Sequence, residues 1–262
     1  FLMTTQIALF GGVYSNYLAL EAAITDARAR GISDLYCLGD LGAFGPFPDR
    51  VFPILQRNNV QCIQGNYDDS IGNDLDNCQC GYTAERDNYY ANISYLYTQQ
   101  HTSADNKAFL RQLPRTRIIQ VEQTQILLCH GSPRKLNEFL WESTSPDHFL
   151  EPFFSQHAVD VIPVTHTGIK WQRQLPSGLF VNVGVLGRPE NDGTTNVWYT
   201  ILEMSGSKTS VEFVPVEYDY QQLAQDMQNE QLPSEFIDTI NTGWWTTCLE
   251  VLPQKERISG KH

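Results

Sequence analysis

Four polar side chains of metal-binding type each follow a short apolar stretch of the sequence. They are Asp40, Asn66, His130 and His166. The stretch 35–38, for example, stops at Gly39 and is followed by Asp40 and a loop rich in glycine and proline. Ligands of open α/β sheets bind where strands end, because residues from distant parts of the chain meet there. A carboxylate, an amide oxygen and two imidazoles would suit Zn²⁺, Mn²⁺ or Fe²⁺.

Two simpler interpretations of these residues stay open. Asp40 by itself is equally typical of a turn, which Asp often caps. The four side chains together could form a buried hydrogen-bonded cluster without a metal. We favour a metal, because two imidazoles and a carboxylate that converge without a cation satisfy one another poorly. The expected cofactor is one divalent transition metal ion, Mn, Fe or Zn, and the alternative is none.

The elements that must position these residues alternate between strands and helices in the first part of the chain, and hairpins follow. The apolar patterns predict strands at 6–10, 35–38 and 60–63 and helices at 17–30 and 49–57. Hairpins are predicted within 117–129, 171–183 and 196–216. We therefore predict an α/β fold, a four-layer α/β/β/α sandwich of two mixed sheets flanked by helices.

The domain prediction is a core over 1–217, with an insertion or cap at 70–100, and a C-terminal helical appendage over 218–262 that packs on the core. Residues 70–97 show no apolar periodicity, which is typical of a lid, cap or binding insertion. Trp244 and Trp245 in the appendage are interpreted as packing anchors in preference to a binding face.

The net charge of −12 argues against nucleic acid or an anionic membrane surface as the main partner. The sequence has no apolar run of about 18 residues and no signal-peptide pattern, so we expect a cytoplasmic protein without membrane insertion. Cys37, Cys62 and Cys129 lie in apolar stretches and are predicted to be buried thiols. Cys78-Gln79-Cys80 lacks the second pair that a structural zinc site needs.

Taken in order, the strand-end motifs resemble those of the calcineurin-like metallophosphoesterases, and more closely their bacterial phosphodiesterase and phosphatase branch. The motifs are Gly39-Asp40, Gly65-Asn66-Tyr67-Asp68, His130-Gly131 and Thr165-His166-Thr167-Gly168. The resemblance runs from about residue 7 to residue 193, and its order and spacing are specific. It implies a two-metal site in which both ions share Asp40 and one ion is completed by Asn66, His130 and His166.

The ligands that the resemblance implies for the other ion are missing. Their positions are Gly12, Tyr14 and Gly168. Tyr67 stands where the family has a histidine near the leaving group, whereas Asp68 beside it is kept; both are candidate catalytic residues. Asn66 and Arg188 are candidate phosphate-binding residues, and Arg188 is equally consistent with a turn residue that faces solvent.

This selective loss predicts weak or absent hydrolysis. Two metals generate a bridging hydroxide and hold both reacting oxygens, and one ion performs part of this. Loss of an acid–base group typically costs a factor of about 10² to 10⁴ in rate. We predict a pseudophosphatase or strongly impaired phosphoesterase that acts by binding a phosphorylated ligand or a protein partner.

Two other functions remain open. The first is an active mononuclear metal-dependent phosphatase or phosphodiesterase with a narrow substrate, in which Tyr14 or Tyr67 orients water or phosphate. The second is a protein interface formed by residues 70–97 and the Trp244-Trp245 segment. The sequence predicts neither the substrate nor the oligomeric state.

Overall fold

The computed structural model describes residues 4–206 and 208–259 of the chain. The outer ends of the predicted ranges 1–217 and 218–262, and Ser207 of the last predicted hairpin turn, lie outside the described residues. The strands are β1 (Thr5–Phe10), β2 (Asp34–Cys37), β3 (Gln61–Cys62), β4 (Thr116–Val121), β5 (Thr124–Cys129), β6 (Val161–Val164), β7 (Lys170–Leu175), β8 (Gly178–Val183), β9 (Val197–Ser205) and β10 (Lys208–Val216). The helices are α1 (Tyr17–Ala29), α2 (Val51–Arg57), α3 (Asn66–Gly72), α4 (Glu85–His101), α5 (Ala104–Gln112), α6 (Asp147–His157), α7 (Tyr220–Asn229), α8 (Ser234–Thr242) and α9 (Gln254–Ser259).

The strands form two five-stranded sheets, in the orders β10-β9-β1-β2-β3 and β4-β5-β6-β8-β7. In the first sheet β1 is parallel to β2 and antiparallel to β9. In the second sheet β6 and β8 are parallel, and β7 and β8 are antiparallel. Both sheets are therefore mixed, and the predicted fold class is confirmed.

Alternation along the strands creates the layers, because successive side chains of a strand point to opposite faces. Ile7 and Leu9 of β1 pack against the second sheet, in a cluster that includes Leu128 of β5 and Val181 of β8. Phe10 of β1 points the other way and packs with α1. The two sheets thus share one apolar layer, and helices cover their outer faces.

The segment 70–97, which the sequence leaves without periodicity, is largely helical. Helix α4 covers Glu85–His101, and its buried side chains are mostly polar or aromatic: Asp87, Tyr90, Ala91, Ser94, Tyr95 and Thr98. An apolar stripe is the signal by which a sequence reveals a helix, and α4 lacks one because it packs through hydrogen bonds. Residues 73–84 before it contain no helix or strand.

The C-terminal segment packs against α4 and against the loops of the core. Leu223 of α7 and Phe236 of α8 form an apolar cluster with Tyr90 of α4. Trp245 is buried, and its indole Nε1 donates a hydrogen bond of 2.7 Å to the carbonyl of Pro189. Trp244 is half-buried. The division of the chain at residue 217 stays a prediction. Within the described residues, every helix is too short or too polar to span a bilayer.

Candidate metal centre

The four predicted ligands lie together at one edge of the two sheets. Asp40 follows β2, Asn66 follows β3 as the first residue of α3, and the two histidines follow β5 and β6. All four side chains are buried. One ligand atom from each of Asp40, His130 and His166 lies within 4.8 Å of the others. The fold therefore brings together the residues that sequence spacing alone had singled out.

The separations within the cluster fit a small four-coordinate ion. His130 Nε2 lies 3.2 Å from Asp40 Oδ2, 3.1 Å from Asn66 Oδ1 and 3.3 Å from His166 Nδ1. A tetrahedral zinc ion with bonds of about 2.1 Å places its ligand atoms about 3.4 Å apart. The three separations from His130 Nε2 have the spacing that such an ion requires, and the ligand atoms of Asp40, His130 and His166 all lie within 4.8 Å of one another.

The hydrogen bonds around the cluster indicate which ligand atoms point inward. His130 Nδ1 lies 2.6 Å from the carbonyl oxygen of Leu38, and His166 Nε2 lies 3.2 Å from that of Cys80. A neutral imidazole has one N–H group, and here it donates outward, so the inner nitrogen of each ring carries a lone pair. Asn66 Nδ2 donates to the carbonyl of Cys78 at 2.9 Å, which directs Oδ1 inward.

Four acceptor atoms therefore converge, and none of them can donate to another while both imidazoles are neutral. A buried set of acceptors is unfavourable without a cation or a proton among them. This donor set and its outer hydrogen bonds fit a divalent metal ion.

The electrostatics of the cluster favour a positive charge beside Asp40. Burial opposes the charge of His130, but the carboxylate of Asp40 outweighs it and raises the His130 pKa above its ordinary value. Burial likewise opposes the charge of Asp40, but His130 outweighs it and lowers the Asp40 pKa. Burial, followed by the charge of His130, lowers the pKa of His166 to about 3. A proton and a metal ion would compete for the inner nitrogen of His130.

Asp68 holds the backbone around the cluster. Its carboxylate accepts hydrogen bonds from the amides of Asp40 at 2.7 Å, Leu41 at 3.0 Å and Gly65 at 2.7 Å. Burial, followed by the charge of Asp40, raises the pKa of Asp68 to about 6. A Cβ atom at Gly65 would collide with Asp40 Oδ1. These contacts assign Asp68 a positioning role, and its predicted catalytic role has no contact that supports it.

The backbone and the side chain of Tyr67, the other candidate catalytic residue, make hydrogen bonds to different partners. Its amide donates to Asp40 Oδ1 at 3.0 Å. Its hydroxyl donates to Ser94 Oγ on α4 at 2.9 Å. Burial raises the pKa of Tyr67 well above its ordinary value, so the phenol stays neutral. The hydrogen bond of the hydroxyl ties the phenol to α4 and does not involve the metal-type ligands.

Aromatic side chains fill the space at the positions of the lost ligands. A Cβ atom at Gly12 would lie 2.6 Å from Cε1 of Tyr14. A Cβ atom at Gly168 would lie 2.7 Å from Cη2 of Trp245, and Gly168 has a φ of +82°, which favours glycine. The rings leave no room for the missing carboxylate and imidazole.

Arg188 also lies beside Gly168, and its side chain is buried. Its Nη2 is 3.6 Å from the Cβ position of Gly168. Its guanidinium carbon lies 3.6 Å from the ring centre of Trp245, 5.1 Å from that of Phe44 and 5.9 Å from that of Tyr14. Within the described residues, its Nε atom has no hydrogen-bond partner. The alternative of a turn residue that faces solvent is wrong, because the side chain is enclosed.

Sequence reasoning missed two features of the site. The first is the place of Trp245, which was predicted as a packing anchor but not as the residue that packs against Gly168 and Arg188. The second is a disulfide between Cys78 and Cys80 in the loop that covers Asn66 and His166. The two-residue spacing of these cysteines was the available signal. The prediction of buried thiols at Cys37, Cys62 and Cys129 is confirmed.

Comparisons with known proteins agree with this fold. Residues 6–206 match the model of the calcineurin-like phosphoesterase superfamily domain. An uncharacterised protein of Methanocaldococcus jannaschii is 26% identical over 247 residues, which cover 88% of this chain and 96% of that protein.

Two solved structures are similar in fold. A hypothetical protein from Pyrococcus horikoshii OT3 has a TM-score of 0.76 at 21% identity, over 92% of this chain and 100% of the other. A metallophosphoesterase from Sphaerobacter thermophilus has a TM-score of 0.69 at 22% identity, with the same coverage of both chains. At these identities the likeness establishes the fold. Together with the match over residues 6–206, it shows that the chain belongs to the calcineurin-like phosphoesterase superfamily.

Proposed function

We propose that the protein binds one divalent metal ion and a phosphorylated ligand, and that it hydrolyses phosphoesters weakly or not at all. The observation that carries this proposal is the convergence of four acceptor atoms, from Asp40, Asn66, His130 and His166, in which His130 Nε2 lies 3.1 to 3.3 Å from the other three. A bound divalent ion would contribute a positive charge for a phosphate oxygen and would polarise a water molecule.

Arg188 supports the phosphate part of the proposal. Arg188 Nε is buried and has no hydrogen-bond partner among the described residues, and a buried charged group gains stability from an anion that it can bind. Arginine pairs with phosphate through two parallel hydrogen bonds. Because Arg188 lies beside Gly168, it contributes a positive charge where the resemblance implies the second ion.

The presence of Arg188 where the resemblance implies a second metal ion also explains why binding is favoured over turnover. A guanidinium stays protonated and does not convert water into hydroxide, as a second metal would. The hydroxyl of Tyr67 donates to Ser94, and the ring of Tyr14 packs beside Arg188, so neither contact favours the alternative in which they orient water or phosphate.

We also retain the proposal of a cytoplasmic protein.

The test combines ligand binding and turnover on one metal-loaded sample. Calorimetry with inorganic phosphate should show affinity that falls about tenfold or more in Arg188→Met, which keeps the aliphatic volume and removes the charge. Arg188→Lys is the matched control and should retain part of the affinity. Rapid metal-dependent hydrolysis of a generic phosphomonoester or phosphodiester, abolished in Asp40→Ala, would contradict the proposal.

A further inference from the structure

The loop 77–82 carries the Cys78–Cys80 disulfide and covers the metal-type ligands. The carbonyl of Cys78 accepts a hydrogen bond from Asn66 Nδ2 at 2.9 Å, and the carbonyl of Cys80 lies 3.2 Å from His166 Nε2. On its other side the loop lines a cleft of about 390 Å³. Two of the four ligands are thus oriented by the two cysteines of one disulfide.

The sulfur of Cys80 itself lies against a ligand. Its Sγ is 3.5 Å from Asn66 Nδ2, and the amide oxygen of the same side chain is 3.1 Å from His130 Nε2. Cys80 is 6% exposed, so the residue is buried beside Asn66. In the disulfide this sulfur is a poor donor to a metal, whereas a thiolate is one of the strongest donors to zinc and iron.

Contacts that need no disulfide also hold the loop. Asn137 Nδ2 donates to the carbonyl of Gln79 at 2.6 Å, and Asn77 Oδ1 accepts from the amide of Gln79 at 2.9 Å. Cleavage of the sulfur–sulfur bond therefore leaves the loop anchored at Gln79, the residue before Cys80.

We propose that Cys80 is a redox-dependent metal ligand: reduction of the Cys78–Cys80 disulfide adds its thiolate to the centre formed by Asp40, Asn66, His130 and His166. The inference rests on the proposed metal centre and deepens it. A dithiol supplies two electrons and two protons, the sulfur–sulfur bond breaks, each cysteine becomes a thiol, and the dithiol becomes a disulfide. Cys80 then releases its proton to solvent as its sulfur bonds to the metal.

A thiolate ligand from Cys80 changes which metal ions the centre prefers. Asn66 is a neutral amide and the weakest of the four donors, and Cys80 is the residue whose sulfur lies beside it. A thiolate favours zinc and iron over manganese. The reduced protein is expected to bind zinc at least about tenfold more tightly than the oxidised protein.

The experiment uses Co²⁺ as a spectroscopic probe in the full-length protein. Wild type is prepared oxidised, or reduced with a dithiol and desalted without oxygen, and is titrated with Co²⁺. Reduced wild type should show a thiolate-to-cobalt charge-transfer band, and oxidised wild type should not. Zinc affinity, measured by competition with a chelator, should rise in parallel.

Two single variants separate ligation from simple loss of the disulfide. Cys78→Ser and Cys80→Ser both remove the disulfide, but the first leaves a free sulfur at 80 and the second leaves one at 78. The band should be present without reductant in Cys78→Ser and absent in Cys80→Ser. Both variants keep the four buried thiols elsewhere, Cys37, Cys62, Cys129 and Cys248, as an internal control.

Each outcome decides one part of the inference. One cobalt ion bound in both redox states without a thiolate band would overturn the role of Cys80 and leave the metal centre intact. Equal spectra from the two variants would show that opening of the loop, and not ligation, is what reduction changes. Absence of cobalt binding in every sample would overturn the metal centre and this inference together.

Discussion

Gly168 illustrates how far a single ligand position has changed. Its backbone has a φ of +82°, and its missing Cβ would contact the indole of Trp245 at 2.7 Å. A histidine here would meet both a strained backbone and an occupied space. The position is thus closed to the ligand that the resemblance implies, and not simply unfilled.

We predict that Gly168→His lowers the free energy of unfolding by about 3 kcal/mol or more, from backbone strain and overpacking together. Gly31→His is the matched control, because Gly31 has a φ of +83° and no described atom lies within 4 Å of its Cβ position. The control should cost about 1 to 2 kcal/mol, from strain alone. Denaturant unfolding measures both, and equal losses would mean that Trp245 moves aside readily.

The four central residues could be predicted from sequence because each ends a strand, and strand ends meet at one edge of a sheet. Arg188 could be named as a candidate, but its burial could not. That burial depends on Trp245, which belongs to a distant segment and touches Arg188 through a contact that has no spacing rule. Long-range contacts of this kind produce no regular spacing of residues from which a sequence could predict them.

At the scale of elements, α4 supports the site, and the sequence pattern does not predict this helix. Ser94 Oγ accepts hydrogen bonds from the amide of Phe44 at 2.7 Å and from the hydroxyl of Tyr67 at 2.9 Å. One small hydroxyl thus connects α4 to the loop after β2 and to α3. The strands and the other long helices were predictable because their apolar residues follow regular periods, whereas α4 is recognised only through such contacts.

We predict that Ser94→Ala lowers the free energy of unfolding by about 1 to 3 kcal/mol, because the amide of Phe44 loses its acceptor and the hydroxyl of Tyr67 keeps only the longer contact of 3.3 Å to the carbonyl of Ala91. Thr98→Val, one turn later on the same buried face, is the control, since Thr98 Oγ1 only donates back to the carbonyl of Ser94. Its cost should be smaller. A larger loss for Thr98→Val would show that apolar packing of α4 matters more than these hydrogen bonds.

At the scale of the whole molecule, one protonated carboxyl group joins the C-terminal segment to α4. Asp87 is buried in α4 and accepts a hydrogen bond of 2.9 Å from the amide of Val251. Burial, followed by the neighbouring carboxylate of Glu250, raises the pKa of Asp87 to about 7. The two-sheet core was predictable from the order of its strands and hairpins, but this connection was not, because it depends on a long-range contact between the Asp87 side chain and the backbone of Val251.

The stability that this connection contributes should depend on pH. Because the pKa of Asp87 in the folded protein lies above its ordinary value of about 4, the contribution is complete at pH 4 and is lost as the pH rises through about 7. We expect a loss of about 2 kcal/mol, since Glu250 is exposed and solvent weakens the effect.

Unfolding experiments from pH 4 to pH 8 on wild type and Asp87→Asn measure this contribution. Asparagine stays neutral and can still accept from Val251, so the variant should lose this part of the pH dependence. Parallel pH profiles for the two proteins would show that Asp87 is ionised in the folded protein.

The central claim is that the fold retains one metal site and has closed the other. Elemental analysis of the pure protein, saturated with Mn²⁺ or Zn²⁺ and dialysed, measures this directly. We predict one ion per chain in wild type and a loss of that ion in His130→Ala, because His130 Nε2 contacts all three other ligands. Two ions per chain would contradict the closure around Tyr14, Arg188 and Trp245, and no bound ion would contradict the metal centre itself.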